Sequence, residues 1–484
     1  MPQVNTTSQQ ILDIEDALVS EENPAHDGSL DYERCARLHN YLVAYGWMAR
    51  HERDTPDLDA LASEEWFFQE AEEDIAAIRS RLITPLNSFL DSIYDPNPDF
   101  FYWVNRLVMM PCDEYINDED NNEMEEGKER FVLIYQTEMD LGSHNLGVIY
   151  DQQRNKASFP MTIENTESVE PVHEHEEMWL PLETILTHWI YMIRIGKIVP
   201  ELSEGGLSGD PNLAANRSQF GLWSWLPYCD FQLDSTIAAI ERYSAIVESR
   251  MPPDSILPIS SAPLFTGADL DAAGVPRDCF IRSLLTRVKT PRFRFVAPGL
   301  EVPHDKEAFI RRQTFTSMGI SHEEGCIPGV LIFAAPDKLV DVNDEIHSLF
   351  SVAHEDLGIE GDSIPTGLYS EPVRRSNFDM EEAGFHIVLP FDLRRAKMSD
   401  GRSVTDGLFT DSEGSFTKLF QHGYFHPFGG ERRAQRLDNL FDRWTVMVES
   451  GIWTVGEDGV EGGIDKFREA DRGDGTEYSI ASSW

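Results

Sequence analysis

Carboxylates and glycines share a short stretch close to the end of the chain. Glu457, Asp458 and Glu461 lie within 456–463, which also holds four glycines. Glycine lets a backbone fold tightly, and carboxylates gathered in a tight turn can bind a cation, hold a guanidinium group or act in acid/base catalysis. An ordinary surface turn has the same composition, so both interpretations stay open. We take these three residues as candidate catalytic residues.

Arginines interleave with aromatic residues upstream of this turn. Arg292 and Arg294 alternate with phenylalanines on a strand predicted near 292–297, and Arg311 and Arg312 follow. Guanidinium groups are planar donors that suit phosphate, so these four are candidate substrate-binding residues. Further arginine pairs are at 374–375, 394–395 and 432–433. The alternative is that these arginines pair with the chain's many carboxylates.

Two tryptophans, Trp223 and Trp225, form a dense aromatic segment with the neighbouring Tyr228. Such rings can stack on a nucleotide base or line a small-molecule pocket, which makes both tryptophans candidate substrate-binding residues. Large aromatic side chains also bury much apolar area, and a place in the core is the alternative.

Histidines offer a third kind of chemistry. His173 and His175 would point the same way on a strand, with His188 as a further ligand for a metal ion. The acidic entrance of a helix explains the same residues without a metal. His422 and His426 are four residues apart, but Gly423 and Pro427 oppose a regular helix there, so packing among aromatic neighbours is expected.

The common motifs of several enzyme classes are absent from the sequence. It has no GxxxxGK[ST] loop, no GxGxxG after a strand, no GxSxG and no HExxH. P-loop ATPases, Rossmann dehydrogenases, α/β-hydrolases and zincin proteases are therefore disfavoured.

The elements that must position these residues predict a mixed α/β (α+β) fold, with a helical acidic N-terminal region followed by mixed helix and strand units. The carboxylate turn directly follows a helix predicted over 432–450. The predicted units are a flexible lead-in at 1–30, a helical acidic region at 31–127, a mixed strand and helix unit at 128–250, a Pro-rich linker at 251–263, and a mixed α/β unit with arginine clusters at 264–484.

Charge is distributed unevenly along the 484 residues. The chain has 40 basic and 85 acidic residues, a formal net charge of −45, yet 277–312 holds nine basic residues against four acidic ones. Phosphate binding depends on lysine and arginine, so a polyanion would have to meet the second half of the chain.

The sequence predicts a cytoplasmic protein. The opening residues have neither a basic start nor an apolar run, and the most apolar stretch, 179–199, is too polar to span a bilayer. We therefore expect no membrane partner. The five cysteines are scattered without a CxxC pair, so we also expect no disulfide-linked partner.

The segment Glu457-Asp458-Gly459-Val460-Glu461 resembles the acidic D-D-x-x-E motif of the fungal arginine-containing cyclodipeptide synthases, with Glu in place of the first Asp. A poorer match is Glu119-Asp120-Asn121-Asn122-Glu123. The resemblance implies an aminoacyltransferase of secondary metabolism that takes arginyl-tRNA and a second aminoacyl-tRNA and joins the amino acids into a cyclic dipeptide.

In that scheme Asp458 and Glu461 serve as base or guanidinium anchor, the basic stretch contacts tRNA, and neither ATP nor a metal is needed because the ester to tRNA is already activated. The sequence does not single out a nucleophile. Two alternatives remain: a non-catalytic acidic protein that binds a basic partner or a small ligand, and a metal-assisted hydrolase that uses His173 and His175.

Overall fold

A computed structural model of the chain describes residues 8–26, 28–63, 72–95, 100–116, 128–137, 146–160, 163, 166, 169–170, 172–173, 176–200, 223–259, 262–318, 325–351, 362–375, 381–393, 416–419, 435–472, 476–478 and 480. These residues form both helices and sheets, which confirms the mixed α/β prediction. The chain divides between Leu226 and Pro227 into two compact units, called unit 1 and unit 2 below.

Unit 1 contains six of the described helices and six of the described strands. Its helices are α1 (Ser8–Leu12), α2 (Tyr32–Arg50), α3 (Leu58–Ser63), α4 (Glu72–Arg81), α5 (Thr84–Leu90) and α6 (Leu182–Arg194). Its strands are β1 (Val104–Pro111), β2 (Phe131–Thr137), β3 (Gly147–Asp151), β4 (Lys156–Ser158), β5 (Ile198–Pro200) and β6 (Trp223–Trp225).

Strands β1 to β4 form an antiparallel meander, and β5 pairs with β6. Strands β2 and β3 are apolar and almost entirely buried, and they lie within one residue of the strand-like segments that the sequence predicts at 131–136 and 146–150. Helix α6 buries one apolar face, including Trp189, in the core of unit 1. The apolar periodicity from Trp179 to Ile193 predicts a helix with Pro200 as its stop, but the helix ends at Arg194 because the chain turns into β5.

Unit 2 is built around a larger sheet. Its helices are α7 (Asp230–Arg250), α8 (Gly267–Ala272), α9 (Phe280–Leu285), α10 (Lys306–Arg312), α11 (Thr314–Ser317), α12 (Asp344–Ser351) and α13 (Leu437–Glu449). Its strands are β7 (Phe295–Ala297), β8 (Leu300–Glu301), β9 (Cys326–Ile327), β10 (Leu331–Asp341), β11 (Ser363–Ser370), β12 (Val373–Arg374), β13 (Phe385–Leu393), β14 (Phe416–Leu419), β15 (Val455–Gly456) and β16 (Gly459–Val460).

Eight of these strands form one sheet in the order β14-β13-β11-β10-β8-β7-β16-β15. Neighbours are antiparallel except β16 and β7, which are parallel. Helices α7 and α13 pack together, with Tyr243 against Phe441 and Trp444, and belong to the same apolar core as the sheet. This core fixes the ends of α13 and thereby the start of the carboxylate turn.

The described residues of the Pro-rich segment, 251–259 and 262–263, belong to unit 2. The Leu257 N–H donates to the carbonyl of Arg292 at 2.9 Å, and the Arg292 Nε donates back to the Leu257 carbonyl at 2.7 Å. These two hydrogen bonds join the segment to the residues just before β7. No helix among the described residues is long and apolar enough to cross a membrane.

Candidate functional site

The carboxylate turn is a tight β-hairpin at the edge of the large sheet of unit 2. Strands β15 and β16 pair antiparallel, which leaves Glu457 and Asp458 as the two-residue loop between them. Glu461 follows β16 directly, and the three acidic residues are exposed. The sequence-predicted catalytic residues are thus close together on an ordered element at the surface.

Main-chain hydrogen bonds hold this hairpin against the sheet. The Asp458 carbonyl accepts the N–H groups of Arg294 and Phe295, both at 2.9 Å, and the Glu461 N–H donates to the Thr454 carbonyl at 2.8 Å. Gly456 leaves room for the acidic side chain, since a Cβ there would lie 2.5 Å from the Glu461 Oε1. The backbone hydrogen bonds therefore set the position of the loop and of the Glu461 main chain, and Gly456 leaves the Glu461 side chain free space beside it.

Within the described part of the chain, the carboxylates of Glu457, Asp458 and Glu461 form no ion pair. The neighbouring Arg294 directs its Nε and Nη2 to Glu301 Oε1 at 2.9 and 2.7 Å, and its guanidinium group lies 4.8 Å from the centre of the Phe295 ring. Because the positive charge of Arg294 is paired with Glu301, the hairpin presents uncompensated negative charge. Such a surface can bind a guanidinium or ammonium group or accept a proton.

Most of the basic residues at 277–312 are already paired with carboxylates. Six of the nine form ion pairs, namely Arg277 and Arg282 with Asp271, Lys289 with Glu241, Arg292 with Glu248, Arg294 with Glu301, and Arg311 with Glu307. Lys306 donates instead to the carbonyls of Leu264 and Pro303. The six ion-paired residues thus support the alternative interpretation, in which the basic residues of this stretch pair with the chain's own carboxylates.

The four arginines chosen as substrate-binding candidates differ in their surroundings. Arg292 is half-buried between Glu248 and the Leu257 carbonyl, which makes it a structural residue of unit 2. The side chain of Arg311 is 66% exposed and pairs with Glu307 across one helical turn at 3.7 Å. Such an exposed pair contributes little to stability, so this arginine can exchange its partner for a phosphate. Arg312 is half-buried at the end of α10.

Trp223 and Trp225 are buried in the core of unit 1, at 1% and 0% exposure. Trp223 packs against Tyr45 and Phe101, and Lys197 lies 4.8 Å from the centre of the Trp225 ring. A stacking platform for a base needs an open ring face, which neither side chain has. We therefore leave both tryptophans out of the proposed site.

The histidine candidates are not brought together as a metal site in the described chain. His173 is exposed, His188 is half-buried on α6, and His175 lies outside the described residues. Among the described residues no group of three or more histidine, cysteine or acidic side chains could hold a metal ion. Other candidates outside the described residues are the segment Glu119–Glu123, His422, His426, Arg394, Arg395, Arg432 and Arg433.

A buried charged cluster in unit 2 was not predicted from the sequence. Arg375 donates to Glu382 Oε1 at 2.7 Å and to the Asp278 carbonyl at 2.6 Å, while Glu382 Oε2 accepts the Phe280 N–H at 2.9 Å. Burial, with a contribution from the Glu382 charge, raises the pKa of the Cys279 thiol to about 12. These contacts tie the start of α9 to the segment before β13, and they satisfy both charges of the buried pair.

The sequence signal for this cluster is weak. Arg375 belongs to one of the arginine pairs, but Glu382 and Asp278 are seven and 97 residues away from it. Asp278 has a positive φ of 54°, which is uncommon for a residue with a side chain, and its carbonyl is held by Arg375.

Comparisons of the chain with protein families, with curated proteins and with solved structures gave no match.

Proposed function

We propose that this protein is a tRNA-dependent aminoacyltransferase that forms an arginine-containing cyclic dipeptide. The support is the match of Glu457-Asp458-x-x-Glu461 to the synthase motif, combined with one observation from unit 2. The three carboxylates extend from a hairpin whose loop carbonyl accepts two N–H groups from residues 294 and 295, so the main chain that carries them is anchored to the sheet.

The chemistry assigns the hairpin carboxylates to the arginine substrate. In this proposal Asp458 or Glu461 binds the guanidinium group through paired hydrogen bonds, or accepts the proton from the attacking amine. Each amide bond forms when an α-amino group attacks an ester carbonyl and the ester oxygen leaves as a hydroxyl group of tRNA. Two such steps close the ring, and the activated esters supply the driving force.

Binding of tRNA needs cationic groups that can reach phosphate. Arg287 is exposed and forms no ion pair within the described residues, while Arg277 and Arg311 form exposed pairs whose partners can be exchanged. We assign phosphate contact to these arginines and not to Arg292, whose charge is taken up inside unit 2. Contacts of these arginines with phosphates make the binding sensitive to salt, and the net charge of −45 opposes it at long range.

Production of a cyclic dipeptide in a host cell tests this proposal. Expression in a host with ordinary aminoacyl-tRNA pools should yield an arginine-containing diketopiperazine that mass spectrometry detects. The double variant Asp458→Asn with Glu461→Gln keeps the shape of both side chains and removes their charges. We expect the product to fall at least about 100-fold, since catalytic acid/base groups contribute on that scale.

A matched control removes two exposed carboxylates elsewhere in unit 2, Asp254→Asn with Glu477→Gln. It should keep the wild-type yield. Well-folded wild-type protein that makes no such product would overturn the proposal, and it would favour the non-catalytic binding alternative. Equal yields from the double variant and the wild type would remove the hairpin from the active site.

A further inference from the structure

An open cleft of about 850 Å³ lies in unit 1 beside the first half of helix α2. Its volume falls in the range of small-molecule sites in proteins. Helix α2 lines it with one face, formed by Tyr32, Glu33, Ala36, Arg37 and Asn40. The opposite wall is the segment 10–16, which includes the end of α1. The proposed synthase residues do not line this cleft.

The cleft combines an apolar floor with acidic walls. Its buried apolar residues are Ile11, Ile14 and Ala36. Its acidic residues are Asp13, Glu15, Asp16 and Glu33. A floor of this kind suits an alkyl chain, and the walls suit a cationic group.

Two of the four carboxylates already form ion pairs with arginine side chains. Asp16 holds the guanidinium group of Arg37 through two hydrogen bonds, Nη1 to Oδ2 at 3.0 Å and Nη2 to Oδ1 at 2.5 Å. Glu15 pairs with Arg194 at 2.8 Å. Both carboxylates therefore bind guanidinium groups, and Asp16 does so through two parallel hydrogen bonds.

The other two carboxylates, Asp13 and Glu33, form no ion pair among the described residues, although Arg37 donates to the Asp13 carbonyl at 3.1 Å and its charge interacts with that of Asp13. Glu33 accepts a hydrogen bond from the Tyr32 hydroxyl at 3.2 Å, and this bond is the largest cause of the raised pKa of Tyr32. The cleft thus has a net negative charge beside an apolar floor. Among the described residues no group of three ligating side chains could hold a metal ion, so we consider an organic cation as the ligand of these carboxylates.

We propose that this cleft binds a small organic cation with a guanidinium group on an alkyl body. Asp13 and Glu33 compensate its charge, and Ile11 and Ile14 contact its alkyl part. This inference stands on the geometry of unit 1 and does not depend on the proposed synthase activity.

Calorimetric titration of the full-length protein with agmatine tests the cleft. Agmatine should bind, and N-carbamoylputrescine, which has a neutral urea in place of the guanidinium group, should bind at least about tenfold more weakly. The double variant Asp13→Asn with Glu33→Gln should weaken agmatine binding by about tenfold or more, because two charge-assisted contacts are lost.

The control variant Glu21→Gln with Glu52→Gln removes the same charge from exposed positions outside the cleft, and it should leave agmatine binding unchanged. Equal weakening by the cleft variant and the control variant would show attraction by overall charge and overturn the proposal. Unchanged affinity in the cleft variant, equal binding of the neutral analogue, or no binding of agmatine would overturn it as well.

Discussion

At the scale of single residues, His39 is a titratable group of unit 1 that is held by hydrogen bonds at both ring nitrogens. Its side chain is fully buried, with Nε2 2.8 Å from the Tyr94 carbonyl and Nδ1 2.8 Å from the Tyr135 hydroxyl. A carbonyl can only accept, so Nε2 carries the proton and Nδ1 accepts from the tyrosine. Burial lowers the pKa of His39 to about 4, and the ring is therefore neutral at physiological pH.

Because the pKa of His39 is lowered in the folded state, we expect the protein to lose stability in mild acid. The unfolded chain takes up a proton near pH 6.5, whereas the folded chain does so only near pH 4. The free energy of unfolding should therefore fall by about 3 kcal/mol as the pH drops from 6.5 to 4. Urea titrations followed by tryptophan fluorescence at several pH values measure this fall.

The variant His39→Gln should be less stable at neutral pH but should lose less stability between pH 6.5 and pH 4 than the wild type. His26→Gln, at an exposed position, should keep the wild-type pH dependence. If His39→Gln shows the full wild-type fall, the acid sensitivity belongs to other groups.

At the scale of elements, the hairpin β15–β16 depends on a glycine where two strands meet. Gly459 has a φ of +109°, and a Cβ at this position would lie 2.6 Å from the Phe295 carbonyl oxygen. The parallel pairing of β16 with β7 is centred on these two residues. A side chain here would therefore push the hairpin away from the sheet.

Gly459→Ala should lower the free energy of unfolding by at least about 1–3 kcal/mol, since it adds a clash to an unfavourable backbone conformation. It should also reduce dipeptide yield, because the Asp458 carbonyl loses its fixed position. Thermal unfolding followed by circular dichroism checks the first effect and mass spectrometry the second.

Gly463→Ala provides a matched control in the same segment. Gly463 has a φ of −94°, and an added Cβ would have nothing within 4 Å. This variant should unfold at the wild-type temperature. A Gly459→Ala protein that is as stable as Gly463→Ala would contradict the role given to the close approach.

At the scale of the whole molecule, the five cysteines are all buried and are divided between the two units. Cys35 and Cys112 are buried in unit 1, and Cys229, Cys279 and Cys326 are buried in unit 2. Burial raises the pKa of Cys35, Cys112 and Cys279, which disfavours the reactive thiolate. All five are free thiols.

The native protein should therefore react slowly with a thiol reagent at every cysteine. In rising urea, the cysteines of one unit should become reactive together, because each core opens cooperatively. Peptide mass spectrometry after pulsed labelling measures each site, and full labelling in concentrated urea is the positive control. Fast labelling of any cysteine without urea would contradict the burial of that residue.

The sequence by itself determined the class of fold and several elements. The apolar run at 131–136 predicted strand β2, and the helical periodicity of apolar residues predicted the buried face of α6, because burying apolar side chains is favourable wherever their partner lies. The paired glycines and acidic residues near 457 likewise identified a tight turn. These features are encoded within a few neighbouring residues.

Only the tertiary structure decided which distant groups meet. The pairing of Gly459 with Phe295, the ion pairs of the stretch 277–312 and the contact of Arg375 with the Asp278 carbonyl join residues far apart in the chain. The positive charge of an arginine favours pairing with a carboxylate, but a chain with 85 acidic residues offers many carboxylates as partners. Packing selects one partner among them, so the same selection left the hairpin at 457–461 with its negative charge uncompensated.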